Sequence, residues 1–215
     1  SWSPPLIDGN ASVTDYIVQY GTNGTNGIDW TTFDDGTSAN TLAIVPGLSN
    51  GTGYVFRVAA KNSEGTGVFS AASSAVTPTG LPGVPQSPVA TPANGQVSLS
   101  WSAPASDGGA AITDYVVRYI GPDGPVVVGD GVSPTTSTAV TGLTNGATYF
   151  FSVAAVNSVG QGTFTSTVSA TPRTVPNQPT AVVGTPAAGR VNLVWSMPAF
   201  NGGATITDYV VEYSS

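Results

Sequence analysis

One seven-residue phrase occurs three times in this chain: TDYIVQY at 14–20, TDYVVRY at 113–119 and TDYVVEY at 207–213. Its aspartates, Asp15, Asp114 and Asp208, are spaced 99 and 94 residues apart. A tryptophan stands thirteen residues before each: Trp2, Trp101 and Trp195. Between Trp and Asp lies a Pro/Gly-rich stretch of constant length (SPPLIDGNASVT, SAPASDGGAAIT, SMPAFNGGATIT). Further on, GLSNGTGYVFRVAAKNSEGTG (47–67) matches GLTNGATYFFSVAAVNSVGQG (142–162) without a gap. Solenoid units repeat every ~20–50 residues, so a period this long marks tandem domains, each needing its own core.

Alternation within the second copy gives the strands. QVSLSW (96–101) places Val97, Leu99 and Trp101 on one face. ITDYVVRYI (112–120) does the same with Tyr115, Val117 and Tyr119, and TYFFSVAAVN (148–157) with Tyr149, Phe151, Val153 and Ala155. Shorter strands are expected at VVV (126–128) and TAV (138–140), and FTSTVSATP (164–172) closes the unit. The turn segments PANG, SDGG, GPDG and TNG separate them. Some seven short strands in ~95 residues, with turn signals every ~8–12, predict an all-β chain of tandem antiparallel β-sandwiches. In each TDY phrase, Tyr and Val supply the inner face, while Thr and Asp can bond loop backbone before the strand begins.

These residues resemble the fibronectin type III family. The resemblance rests on the Trp of the second strand and the Y-x-V-x-Y third strand (Tyr115, Val117, Tyr119). A G-L-x-x-G-x-x-Y corner follows (Gly142, Leu143, Gly146, Tyr149), then an aromatic–Val–Ala–x–N–x–x–G run from Phe151 to Gly160 and a closing S…TP. It implies an immunoglobulin-like sandwich and extends over essentially the whole chain. Residues 80–174 then form a complete domain. Residues 1–79 lack the first strand and most of the second, and residues 175–215 carry only three strands, expected near 179–185, 190–196 and 205–213. Two readings of the incomplete first and last domains follow. The chain is a stretch of a longer array, or the first two strands of the third copy complete the first copy of a neighbouring molecule in a head-to-tail fibre. The second leaves one TDY strand redundant, because both broken copies carry it. The joints TPTGLPGVPQSP (77–88) and TPRTVPNQP (171–179) are rich in proline, which stiffens the backbone and cannot donate to a ladder.

Composition narrows the chemistry. Only 8% of residues are charged, against about 25% in ordinary soluble domains, and the net charge is −7. The five cations, Arg57, Lys61, Arg118, Arg173 and Arg190, are scattered along the chain. Nucleic acid and anionic membranes are therefore poor partners. No apolar run approaches the ~18 residues of a membrane span. The opening SWSPPLIDG has neither the basic nor the apolar region of a signal peptide. Histidine and cysteine are absent and lysine occurs once. Triads, thiolate and imidazole metal sites and disulfides are thereby removed, and no catalytic, cofactor-binding or metal residue is assigned.

Weaker candidates remain. Asp29, Asp34 and Asp35 are the densest acids, with Asp123 and Asp130 in the matching region of the second copy, and they read as solvated turns rather than a calcium site. Trp30 has no counterpart in the second copy, which has Val126–Val128 there. It either packs on a short edge strand or offers an aromatic to a protein or glycan. The acceptors Asn10, Asn23 and Asn50 occur at chance frequency for so Ser/Thr-rich a chain. The Arg-Gly-Asp tripeptide by which animal fibronectin binds integrins is absent, and the matching loops read SEGTG (63–67) and SVGQG (158–162).

The expected role is a non-catalytic structural or adhesive segment of a long extracellular or cell-surface protein of bacterial type, acting as rod, spacer or filament and surface-layer block. Its expected partners are neighbouring repeats or copies of itself, and an extracellular protein or glycan. Two other roles fit the same residues. One is a spacer array in a secreted polysaccharide-degrading enzyme. The other is a binding module using loops that differ between copies, 21–33 against 120–129 and 63–67 against 158–162.

Overall fold

The structure, a computed structural model, describes residues 1–24, 27–129 and 131–214, so Asp130 and part of the 21–33 loop lie outside the described residues. Every regular element described is a strand. The chain forms two compact units, residues 1–80 with 107–111, and residues 81–106 with 112–215.

The complete sandwich lies in the second unit. Its strands are β7 (Gln86–Ala93), β8 (Gln96–Ser102), β9 (Asp114–Gly121), β10 (Gly124–Val127), β11 (Ser137–Thr141), β12 (Tyr149–Val156) and β13 (Val168–Ala170). They form a four-stranded sheet in the order β10-β9-β12-β13 and a three-stranded sheet in the order β11-β8-β7, every pairing antiparallel. The period-2 pattern sets the core, since Val117 lies opposite Val153 and Tyr119 opposite Phe151 on the same face. Those residues meet Val97, Leu99 and Trp101 from the other sheet, and Phe151, Val97 and Val117 are fully buried.

The closing strand is shorter than FTSTVSATP promised, for only Val168–Ala170 pairs with β12. Upstream, the Thr165 N–H still donates to Val153 O (2.8 Å), but the Val153 N–H is met by Thr165 Oγ1 (3.2 Å) rather than a carbonyl. A hydroxyl competes with the ladder there.

In the first unit, β1 (Asp15–Gly21), β4 (Thr31–Phe33), β5 (Val55–Asn62) and β6 (Gly65–Thr66) build one sheet in the order β4-β1-β5-β6. A two-residue pair, β2 (Asn23–Gly24) with β3 (Gly27–Ile28), sits in the connecting loop. This sheet corresponds strand for strand to β10-β9-β12, and residues 1–14 and 42–46 carry no strand. In the complete copy the segment matching 42–46 is β11, which pairs only with β8. Without that partner it has no ladder to join.

The third copy contributes β14 (Thr180–Ala187) and β15 (Arg190–Ser196), paired with each other. The strand expected at 205–213 is not formed. In the middle copy β9, its equivalent, takes its bonds from β10 and β12, and none of the described residues pairs with 205–213 in that way.

Candidate binding surface

The first two TDY phrases work as the sequence implied, whereas in the third Asp208 is exposed and its Oδ1 accepts only the adjacent Tyr209 N–H (2.7 Å). The Asp15 Oδ1 accepts the Ser38 N–H (3.0 Å) and the Asp114 Oδ1 accepts the Ser133 N–H (3.0 Å), so the same carboxylate ties down the loop beyond the edge strand in both copies. Thr14 and Thr113 donate their N–H to Lys61 O and Val156 O, both at 2.9 Å. The tyrosine packs edge-on against its tryptophan in all three copies: Trp2–Tyr16 at 5.3 Å, Trp101–Tyr115 at 5.4 Å and Trp195–Tyr209 at 5.4 Å. The last contact survives although Tyr209 belongs to no strand, so it is a local property of the phrase. Burial raises the Tyr115 hydroxyl above its ordinary pKa of 10.0.

The corner tyrosines also recur. The Ser49 N–H donates to the Tyr54 hydroxyl (3.1 Å), and the Thr144 N–H to that of Tyr149 (2.9 Å).

Sequence inspection passed over the outward face of these sheets. Arg57 on β5 lies opposite Gln19 and donates to its Oε1 (2.8 Å), while Arg118 on β9 lies opposite Ser152 and donates to its Oγ (2.9 Å). The arginine has changed strands, yet each guanidinium covers the phenylalanine at the matching position, Phe69 at 4.5 Å and Phe164 at 3.8 Å. Such stacks are worth about 0.5–1 kcal/mol on a surface. A signal was available: an Arg and a partner at paired register positions, with a Phe at one offset in both copies. Scanning for cation clusters could not find it, because each copy uses one cation alone.

Trp30 joins this stack. It precedes β4, is half-buried, and has the Arg57 guanidinium 4.1 Å over its ring. It thus packs at the sheet edge with one face covered by the protein itself.

The remaining candidates stay apart. Asp29, Asp34 and Asp35 are exposed, and the Asp34 Oδ1 accepts the Gly36 N–H (3.1 Å) in a turn. Among the described residues no group of three or more acids could hold a metal ion. The 63–67 loop is a tight return pinned by Asn62, whose Oδ1 accepts the Glu64 N–H (2.9 Å) and whose Nδ2 donates to Asp8 O (2.8 Å). Asn157 holds the 158–162 loop in the same way, accepting from Val159 (2.9 Å).

Two concavities lie on the inner face of the β1–β5 sheet, the first bordered also by Glu64, Gly65, Thr66 and Gly67 of the 63–67 loop. A cavity of about 640 Å³ is lined by Trp2, Tyr16, Val58, Ala60 and Val68, and one of about 470 Å³ by Val18, Ala43, Val45, Phe56 and Val76. In the complete copy, the equivalents of Phe56, Val58 and Ala60 are Phe151, Val153 and Ala155, all buried beneath β8.

Known proteins give the same architecture a name. The profile described as fibronectin type III domain matches residues 1–76 and 84–171, well over half of the chain. This chain belongs to the fibronectin type III family. It is 33% identical over 176 residues to human fibronectin type-III domain-containing protein 3A, covering 77% of this chain and 14% of that protein. It is 31% identical over 223 residues to the tyrosine-protein phosphatase Lar-like of Caenorhabditis elegans, covering 97% of this chain and 10% of that one. A kelch domain-containing protein of Saccharolobus solfataricus is 35% identical over 118 residues, 55% of this chain and 15% of that protein. The fibronectin type III chain thus spans at most 15% of these relatives. Among solved structures, the chicken CNTN1 FN1–FN3 domains align over 74% of this chain and 55% of that one, at 22% identity and a TM-score of 0.38. Among the described residues, no helix is long and apolar enough to cross a membrane.

Proposed function

We propose that this fibronectin type III chain is a non-catalytic structural or adhesive segment of a long extracellular or cell-surface protein of bacterial type. It acts as a semi-rigid rod or spacer, or as a building block of a filament or surface layer. Its partners are neighbouring repeats and copies of itself, with extracellular protein or glycan contacts made through its loops. The observation carrying this reading is a hydrogen-bonded backbone motif that recurs at the end of a copy. In the first unit, Gly51 N–H donates to Pro78 O (2.9 Å) and Gly80 N–H to Gly108 O (2.8 Å). In the second unit, Gly146 N–H donates to Pro172 O (2.8 Å) and Thr174 N–H to Gly202 O (2.7 Å). A side chain has no room there: a Cβ on Gly203, whose φ is +83°, would meet the Gly146 backbone. A joint built twice from backbone alone favours regular spacing over free tethering.

Small-angle scattering tests this on the chain as it stands and on one with residues 80–174 duplicated in place. A sandwich with strands of 7–10 residues adds roughly 25–35 Å per copy. The expected result is an increase of that size in maximum dimension. A compact particle that gains only girth would contradict the reading.

A further inference from the structure

An asparagine followed by glycine is chemically labile, because the glycine has no Cβ to keep its nitrogen away from the asparagine Cγ. Two such pairs, Asn50–Gly51 and Asn145–Gly146, stand at matching positions in the joints. In each, the nitrogen that would react is already engaged. The Gly51 N–H donates to Pro78 O (2.9 Å) and the Gly146 N–H to Pro172 O (2.8 Å). Both glycines are fixed in the left-handed region, at φ +81° and +88°. A glycine of the Pro/Gly-rich Trp-to-Asp stretch closes over each. A Cβ on Gly109 would press on the Gly51 nitrogen and Cα, and one on Gly203 on those of Gly146. The asparagine side chains are restrained as well. The Asn50 amide lies against Gly80, where a Cβ would collide with it. The Asn145 Oδ1 accepts the Gly95 N–H (2.9 Å), and its Nδ2 donates to Asn94 Oδ1 (2.7 Å).

We propose that Asn50 and Asn145 are sites of spontaneous deamidation controlled by the joints, each reacting only while its joint is open. Once freed, the glycine nitrogen loses its proton and attacks the asparagine Cγ. A bond forms between that nitrogen and Cγ, the Cγ–Nδ2 bond breaks, and ammonia leaves with the proton. Water then adds to either carbonyl of the succinimide ring and opens it to aspartate or isoaspartate. Water is the only co-reactant. A closed joint blocks the first step, because an amide donating to a carbonyl keeps both its proton and its orientation. Either product leaves a carboxylate in the joint. The isoaspartate product also lengthens the backbone by a methylene just ahead of the glycine, where Gly109 or Gly203 leaves no room for it. The reaction therefore marks a joint that has been opened and hinders its closing again. The inference goes beyond the spacer role, since it holds whatever the chain spaces or binds.

The test uses the full chain, incubated in mildly alkaline heavy-oxygen water and mapped by mass spectrometry after digestion. The heavy oxygen separates conversion during incubation from conversion during digestion. In urea both asparagines convert at the rate of an open chain. In the native chain Asn50 converts several times more slowly than that, and Asn145 more slowly still, because the Asn94–Gly95 turn also holds it. Gly109→Ala raises the native rate at Asn50 alone by about fivefold or more, the change in open population that losing a typical hydrogen bond brings. Gly203→Ala does the same at Asn145 alone. Gly47→Ala and Gly142→Ala impose the same left-handed strain, at φ +74° and +75°, but with open space around the new Cβ, and they leave both rates unchanged. Amide exchange in β5 and β12 stays as in the wild type, which separates joint opening from unfolding of a copy. Native rates equal to those in urea, joint variants matching the wild type, or one joint variant raising both asparagines equally would each overturn the proposal. The crossed pattern in a chain that fails to lengthen by scattering would uphold it while removing the spacer role.

Discussion

Tyr115 shows how one residue type is used up by packing. It is buried, lies edge-on to Trp101, and sits between the two sheets. Burial disfavours its phenolate, so the folded pKa lies above the ordinary 10.0. Its contribution to stability is therefore complete below pH ~10 and is lost as the pH rises through the folded value. Denaturant titrations from pH 8 to pH 11 should show stability falling above pH 10, and Tyr115→Phe should fall less steeply than wild type over that window. Parallel curves would contradict the assignment. The outward arginines make a similar point. Arg57 and Arg118 look scattered in sequence, yet each is spent on an aromatic ring of its own copy.

At the scale of strands, the inner face was legible because period-2 alternation and a repeated Trp–Tyr pair fix both sheet and register. Val97, Leu99, Trp101, Tyr115, Val117, Phe151 and Val153 were all expected inside, and all are there. Two expectations failed for physical reasons. The closing strand is cut short where the Thr165 hydroxyl takes a ladder bond, and a hydroxyl's choice of partner depends on tertiary position. The 205–213 segment has the right alternation but no sheet to enter, since strand propensity is realised only against a neighbour. The outward stacks were invisible to cluster counting because the arginine moves between strands, and only the pairing register shows that it faces the same ring. A mutational contrast tests the difference between copies. Phe151→Ala empties a closed core and should cost about 3–5 kcal/mol, whereas Phe56→Ala, at a half-buried site on an open face, should cost less than half as much. Urea titration followed at amides of each copy separates the two. Equal costs would mean that the first copy's face is covered in solution.

Over the whole molecule, three copies of one sequence differ in what their residues can reach. Among the described residues, the middle copy has two sheets, the first has one four-stranded sheet whose inner face is partly buried, and the third has a two-stranded hairpin. The same Val and Leu positions are buried in the middle copy, where a second sheet faces them, and exposed in the third, where none of the described residues does. Two-stranded hairpins are marginal in isolation, and exposed apolar edges invite pairing. Native-state hydrogen exchange on the chain at low micromolar concentration tests this most directly. The slowest amides should lie in β8, β9 and β12, with β14 and β15 exchanging orders of magnitude faster than their counterparts β7 and β8. If β14–β15 were protected as strongly as β7–β8 in dilute solution, the account in which a facing sheet is what stabilises these strands would be wrong.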